Sequence, residues 1–202
     1  MRLIGERLAC QRGDRTVFTG LDFELGAGEL VVLRGPNGSG KTSLLRMVAG
    51  LIVPAAGRLA LDGGAPELSI ARQCHFVAHQ DAVKPALTAR ENLGFWGGFF
   101  GQGDVDAALA AFDLTAIAGL HAGLLSAGQK RRLALSRLAL AARPLWLLDE
   151  PTVGLDRASR ERLSALMAAH LERGGLMIVA THVDIGLEPR RSIELGSVAV
   201  AS

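Results

Sequence analysis

Apolar residues along this chain follow two periods, which predict strands alternating with helices. Short apolar runs are typical of strands that are buried in a parallel sheet. They lie at residues 30–33 (LVVL), 76–78 (FVA), 145–148 (LWLL) and 176–180 (LMIVA). Helical spacing follows two of them, at residues 42–48 and 157–172. This order of strands and helices predicts an α/β fold with a parallel sheet.

The segment before residue 30 alternates in the manner of strands. Its apolar positions lie near glycine-containing turns that we expect at Gly20 and at residues 26–28. They are Val17, Leu21, Phe23 and Leu25. A further strand is expected at Leu59 and Leu61, before the turn signal of Asp62, Gly63 and Gly64.

The middle of the chain is rich in alanine and leucine at helical spacing. Thr88 followed by Glu91 is a capping-box signature, in which each side chain satisfies the other residue's backbone N–H. Ser126 with Gln129 is a second one, and its helix should run through Ala141. We therefore expect helices to be inserted between two parts of the sheet.

Size and charge restrict the class of protein. The chain has 202 residues, which suits one domain. No apolar run is long enough to cross a bilayer, and the start lacks a secretion signal, so we expect a cytosolic protein that reaches a membrane only through a partner. The net charge of +2 gives no case for binding nucleic acid. Cys10 and Cys74 are expected to be free and buried.

Residues 35–42, GPNGSGKT, fit the phosphate-binding loop pattern G-x-x-x-x-G-K-[ST] at every position. Glycine lets successive backbone N–H groups turn toward one anion, and the following helix directs its N-terminus at the phosphates. Lys41 supplies a cation and the Thr42 hydroxyl a ligand for Mg²⁺. The predicted nucleotide-binding residues here are Gly35, Pro36, Asn37, Gly38, Ser39, Gly40, Lys41, Thr42 and Ser43.

Two carboxylates end the apolar run at residues 145–148. Side chains alternate across a strand, so Asp149 and Glu150 should serve different tasks. Asp149 fits the acid that supports Mg²⁺ in P-loop NTPases, and Glu150 fits a general base that polarises water. The alternative is that these carboxylates are only the acidic end of a strand beside a solvated loop. The phosphate-binding loop earlier in the chain favours the functional interpretation.

Residues 125–129, LSAGQ, carry a resemblance to a known family. The ATP-binding-cassette (ABC) ATPases have the signature LSGGQ, of which Ala127 here replaces one glycine. The resemblance implies that Ser126, Gly128 and Gln129 contact nucleotide. The alternative interpretation, that Ser126 and Gln129 only cap their helix, is compatible with nucleotide binding, since a capped helix start still presents N–H groups.

Further family landmarks follow in order. Gln80 resembles the glutamine that contacts Mg²⁺ or water, Asp156 the D-loop aspartate, and His182 the switch histidine that contacts the γ-phosphate. The family usually has an aromatic residue that stacks on adenine. Arg12 stands at the corresponding position, and its guanidinium can stack on a base instead; Phe18 is expected in the core.

The resemblance implies a fold, a division of the chain and a mechanism. The fold is a P-loop NTPase of the ABC type, with a mixed sheet core, N-terminal antiparallel strands and a helical subdomain insertion. The core would span about residues 1–80 and 144–202, and the helices about 81–143. A homodimer would sandwich two ATP, with Glu150, His182 and Lys41 as catalytic residues. Mg²⁺ would be held by Thr42, Gln80 and Asp149.

Within the family, the chain is most similar to the ATPase subunits of cytochrome c biogenesis transporters. The similar segments are CQRGDRTVF, KPALT with ENL, and LSAGQKRRLALSRL. This resemblance implies an integral CcmB-like membrane subunit, CcmC-, CcmD- and CcmE-like maturation factors, and a place on the cytoplasmic face of the inner membrane. It leaves open whether heme is exported or a heme-loaded chaperone is released.

Other classes of ATPase fit less well. A soluble ABC ATPase for protein or iron–sulfur cluster assembly would share the same cassette motifs. A P-loop kinase would not need LSAGQ or His182. A DNA-repair ATPase would need a long coiled-coil insertion with heptads, which the chain lacks.

Overall fold

A computed structural model describes residues 1–101 and 103–196. Its strands are β1 (Arg2–Arg12), β2 (Arg15–Gly26), β3 (Leu30–Arg34), β4 (Ala56–Asp62), β5 (Cys74–Val77), β6 (Leu145–Asp149), β7 (Leu176–Ala180) and β8 (Arg191–Glu194). Its α-helices are α1 (Lys41–Val48), α2 (Ala89–Phe100), α3 (Val105–Ala111), α4 (Ala127–Leu135), α5 (Arg137–Leu140) and α6 (Arg157–Glu172). Short 3₁₀ helices span Ile70–Gln73, Thr115–Ile117 and Ala122–Leu124.

The strands form two sheets, which confirms the α/β class with N-terminal antiparallel strands. The antiparallel sheet has the order β2-β1-β4. The second sheet has five parallel strands in the order β5-β6-β7-β3-β8. None of the helices in the described residues has the length and apolar character to cross a membrane.

Both faces of the parallel sheet are buried, which explains the uninterrupted apolar runs in its strands. Within β3, Val31 and Leu33 pack with α1 and the antiparallel sheet. The alternate residues Leu30 and Val32 pack with α6 and the helices between β5 and β6. Phe18, Cys10 and Cys74 are buried on the α1 side, as expected, and both thiols are free.

Both capping boxes are present. Thr88 Oγ1 accepts a hydrogen bond from the Glu91 N–H at 3.1 Å, and Glu91 Oε2 accepts one from the Thr88 N–H at 2.8 Å. The same exchange joins Ser126 and Gln129 at the start of α4. The division into a core and a helical subdomain at residues 81–143 stays a prediction.

The structure corrects two expectations on the elements and adds one strand. The helix from Ser126 does not continue to Ala141: Ser136 separates α4 from α5, and its hydroxyl donates to the Leu133 carbonyl at 2.8 Å, which competes with helical bonding. Gly20 lies inside β2, not in a turn. Strand β8 was not predicted, because Ile193 is its only apolar residue.

A cluster of aromatic and imidazole rings, in edge-to-face and stacked contacts, joins α2, β5, β6 and α6. The ring centroid of His75 lies 4.7 Å from that of Phe100, and the Trp146 ring stacks on His170 at 4.0 Å. His75 Nε2 donates to the Ala141 carbonyl at 2.7 Å. Burial lowers the pKa of His75 to about 4, and it lowers the pKa of His170 as well. Both imidazoles are therefore neutral in the folded chain near pH 7.

We expect the protein to lose stability as the pH falls below 6.5. His75 then binds a proton in the unfolded chain but stays neutral in the folded chain, where its pKa is lower. His75→Gln retains a donor for Ala141 and removes this titration. The unfolding free energy of this variant should fall by about 2 kcal/mol less than that of the wild type between pH 7 and pH 5. Urea denaturation midpoints of both proteins measure the slope, and equal slopes would contradict the prediction.

Candidate functional site

An open cleft of about 680 Å³ lies at the carboxyl edge of the parallel sheet. Loops that follow four strands of this sheet meet here, and the turn between β1 and β2 closes one end. The cleft is lined by Arg12, Arg15, Val17, Asn37, Gly38, Gly40, Lys41, Thr42, Ser43, Arg46, Ala78, His79, Gln80, Asp149, Glu150 and His182. The structure therefore brings together most of the residues that the sequence predicted for the nucleotide.

The glycine loop between β3 and α1 adopts a backbone that other residues resist. Gly40 caps α1 with a φ of 105°, and a Cβ there would lie 2.6 Å from Val17 Cγ1. Gly35 has a φ of 131°, and a Cβ there would lie 2.2 Å from the Leu195 carbonyl oxygen. No side chain caps α1, so its first N–H groups remain available to an anion.

Three of the predicted loop residues belong to the glycine loop but do not line the cleft. They are Gly35, Pro36 and Ser39. Lys41 Nζ donates to the carbonyl oxygens of Gly35 at 2.6 Å and of Pro36 at 3.0 Å. Ser39 Oγ is buried and has no hydrogen-bond partner among the described residues. Lys41 is thus held at the loop, where its cation faces the place expected for phosphate.

Hard oxygen atoms suited to Mg²⁺ lie beside the glycine loop. Thr42 Oγ1 donates to Asp149 Oδ2 at 2.8 Å, although the two residues are 107 positions apart in the chain. Gln80 lines the same cleft and is exposed. Mg²⁺ in nucleotide sites takes few protein oxygens together with phosphates, and this set fits that chemistry.

Glu150 has an unusual backbone. Its φ of 47° is left-handed, which a residue with a side chain adopts only when its surroundings hold it. Its N–H donates to the Ala180 carbonyl at 2.8 Å. Glu150 Oε1 lies 3.8 Å from His182 Nε2, so two predicted catalytic side chains are neighbours.

Four other predicted residues lie outside this cleft. Ser126, Gly128, Gln129 and Asp156 line a separate pocket of about 320 Å³. Asp156 Oδ1 accepts a hydrogen bond from the N–H of Ser159 at 2.8 Å, which caps α6. Hydrogen bonds from Ser159 lower the pKa of Asp156. One chain therefore carries two separate groups of predicted nucleotide-binding residues.

Comparison with known proteins identifies the family. The sequence pattern of the ABC transporter family matches residues 18–153, more than half of the chain. The chain belongs to this family. The match covers the glycine loop, the signature segment and the two carboxylates at the end of β6, Asp149 and Glu150.

Individual members of the ABC family match along nearly the whole chain. A protein of Bradyrhizobium diazoefficiens is 53% identical over 201 residues, covering 98% of this chain and 100% of its own length. One of Brucella abortus is 47% identical over 190 residues, covering 93% and 88%. Both are named cytochrome c biogenesis ATP-binding export protein CcmA.

Solved structures of ABC cassettes share the fold. A dimeric ATP-binding cassette in a post-hydrolysis state, bound to ADP and Pi, matches with a TM-score of 0.82 and 25% identity, over 96% of each chain. A dimeric bacterial ABC transporter cassette matches with a TM-score of 0.80 and 26% identity, over 96% of this chain and 94% of its own. These matches confirm the ABC ATPase fold.

The end of the cleft beyond the glycine loop carries arginines, among them Arg12, which the sequence predicted to stack on the base. Arg12 and Arg15 pair across the β1–β2 turn, and both are exposed. Arg15 and Arg46 were not predicted for the site. Arg46 lies four residues after Thr42 on α1, so helical spacing predicts its place on the same face.

Arg12→Ala should weaken ATP binding by a few-fold, since an exposed cation–π contact contributes roughly 0.5–1 kcal/mol. Titration of the purified chain with ATP gives the dissociation constant. Lys41→Ala, which removes a phosphate cation, is the reference for a large loss of affinity. An unchanged dissociation constant for Arg12→Ala would remove this residue from the site.

Proposed function

We propose that this chain is the ATP-hydrolysing subunit of a membrane ABC transporter for c-type cytochrome biogenesis. One observation carries the proposal: relatives named for this process match at about half identity over nearly the full chain. The cleft supports the ATPase part, because the glycine loop, Asp149 and Glu150 meet there.

ATP would bind with its phosphates against the glycine loop and its base near Arg12. The N–H groups at the start of α1 and the Lys41 ammonium would hold the phosphates. Thr42, Gln80 and Asp149 would supply oxygen ligands to Mg²⁺. Mg²⁺ held there would supply positive charge that offsets the negative charge developing on the phosphates.

Glu150 would act as the general base. Its carboxylate accepts a proton from water, while the water oxygen bonds to the γ-phosphorus. The bond from the γ-phosphorus to the bridging oxygen breaks, which yields ADP and phosphate. His182, whose Nε2 lies 3.8 Å from Glu150 Oε1, would stabilise the transferred phosphoryl group.

Two copies would complete each site. Ser126, Gly128 and Gln129 line a pocket apart from the glycine-loop cleft, so a second chain is needed to place them on the γ-phosphate. Two similar cassettes of known structure are dimeric. In this arrangement Asp156 also lies at the interface, and ATP binding draws the two chains together.

Glu150→Gln should bind ATP as the wild type does and hydrolyse it about 10²–10⁴ times more slowly, because the amide cannot accept the proton from water. Phosphate release and ATP titration measure the two properties. Undiminished turnover would rule out Glu150 as the base.

The chain would act at the cytoplasmic face of the inner membrane through a CcmB-like integral subunit, with CcmC-, CcmD- and CcmE-like factors in the assembly. ATP turnover would drive heme export or release of a heme-loaded chaperone. A soluble ABC ATPase for protein or iron–sulfur cluster assembly is the competing hypothesis. The names of the full-length relatives favour the transporter.

A membrane pull-down separates the two hypotheses. Tagged Glu150→Gln, held with ATP, should recover a small polytopic membrane protein together with cytochrome c maturation factors, identified by mass spectrometry. Lys41→Ala under the same conditions is the control for capture that depends on nucleotide. Recovery of soluble assembly factors, with the chain absent from membranes, would overturn the transporter hypothesis.

A further inference from the structure

Arg131 lies on the first turns of α4, beyond the signature segment, and its side chain is only 5% exposed. It does not line the glycine-loop cleft. One guanidinium nitrogen, Nη1, donates to the Ala78 carbonyl and to Asp81 Oδ1, each at 3.0 Å. The other, Nη2, donates to the Glu150 carbonyl at 2.7 Å and contacts the Asp149 carbonyl at 3.3 Å. The side chain thus joins two segments of the cleft wall.

The contacts of Nη1 bracket Gln80. Ala78 and Asp81 lie on either side of the two-residue stretch that contains it. Gln80 itself is exposed and lines the cleft. Fixing the chain on both sides restricts where the Gln80 side chain can reach.

The contacts of Nη2 hold the backbone of Glu150. This residue has a left-handed φ of 47°, which needs support from its surroundings. Its N–H is fixed by the Ala180 carbonyl at 2.8 Å. Its carbonyl accepts from Arg131 at 2.7 Å and, at a longer 3.3 Å, from the Val153 N–H. Arg131 therefore donates the shorter of the two hydrogen bonds that the Glu150 carbonyl accepts.

We propose that Arg131 is a positioning residue for hydrolysis: its guanidinium fixes the backbone of Glu150 relative to the segment of Gln80, so that the Glu150 carboxylate is directed at the water that would attack the γ-phosphate. The inference rests on the proposed ATPase role of both residues. Only an arginine suits this place, because its planar fork can donate to several oxygens at once, whereas lysine is a point charge.

The test separates positioning from folding. Arg131→Lys keeps a cation for Asp81 but cannot span both segments. Arg131→Gln with Asp81→Asn removes the ion pair without leaving a carboxylate unpaired. Arg58→Gln is the matched control: Arg58 also pairs with a carboxylate, that of Glu6, but on the exposed antiparallel sheet.

Each variant is studied in the complex that is recovered through a tag on the full chain. We measure kcat and KM for ATP, the ATP dissociation constant and the melting temperature. For both Arg131 variants kcat should fall by about 10–10²-fold, since small misplacements of reacting groups cost this much. KM and the dissociation constant should stay within about twofold of the wild type. Arg58→Gln should leave all of them unchanged.

Two results would overturn the inference alone. One is a kcat within about twofold of the wild type in either Arg131 variant. The other is a fall in kcat that comes with a loss of ATP affinity greater than about twofold and a lower melting temperature in both Arg131 variants, which would make Arg131 a structural anchor. A wild-type complex that binds ATP without hydrolysing it would instead overturn the proposed function, and the positioning role with it.

Discussion

Burial of the parallel sheet on both faces is the constraint on which the rest of the structure depends. Helix α1 and the antiparallel sheet cover one face, and α6 with the inserted helices covers the other. Apart from the exposed edge strand β8, the strand ends are the part of the sheet open to solvent, and in a parallel sheet the carboxyl ends share one edge. The loops after β3, β5, β6 and β7 therefore meet, which places Lys41, Gln80, Glu150 and His182 around one cleft.

A consequence of this layout is that one chain holds two separate groups of residues predicted to bind nucleotide. The glycine-loop cleft has cations, oxygens suited to a metal and the proposed base, but Ser126 of the signature segment lines a different pocket. Two similar cassettes of known structure are dimeric. If each of two chains supplied its signature residues to the nucleotide site of the other, hydrolysis would require the two chains to close around ATP. A membrane subunit could respond to that closure.

The buried guanidinium of Arg131 links the helix that begins at the signature segment to two segments of the cleft wall. It contacts the residues that flank Gln80 and the backbone carbonyls of Asp149 and Glu150. A buried cation is costly unless it is paired and hydrogen-bonded, and here one carboxylate and three carbonyls accept from its two terminal nitrogens, while Nε has no partner among the described residues. The polar contacts of the cleft wall thus continue into the helix beyond the signature segment.

The sequence by itself determined the local chemistry: the glycine loop, both capping boxes, the buried strands and the bounds of α6 and β7 follow from residue type and spacing. Only the tertiary structure decided which distant residues meet. Thr42 bonds to Asp149 across 107 positions, and Arg131 reaches Asp81 and Glu150, because sheet order and helix packing set these distances. Tertiary structure also decided strand β8. It has one apolar residue, and it forms because β3 offers an edge to pair with.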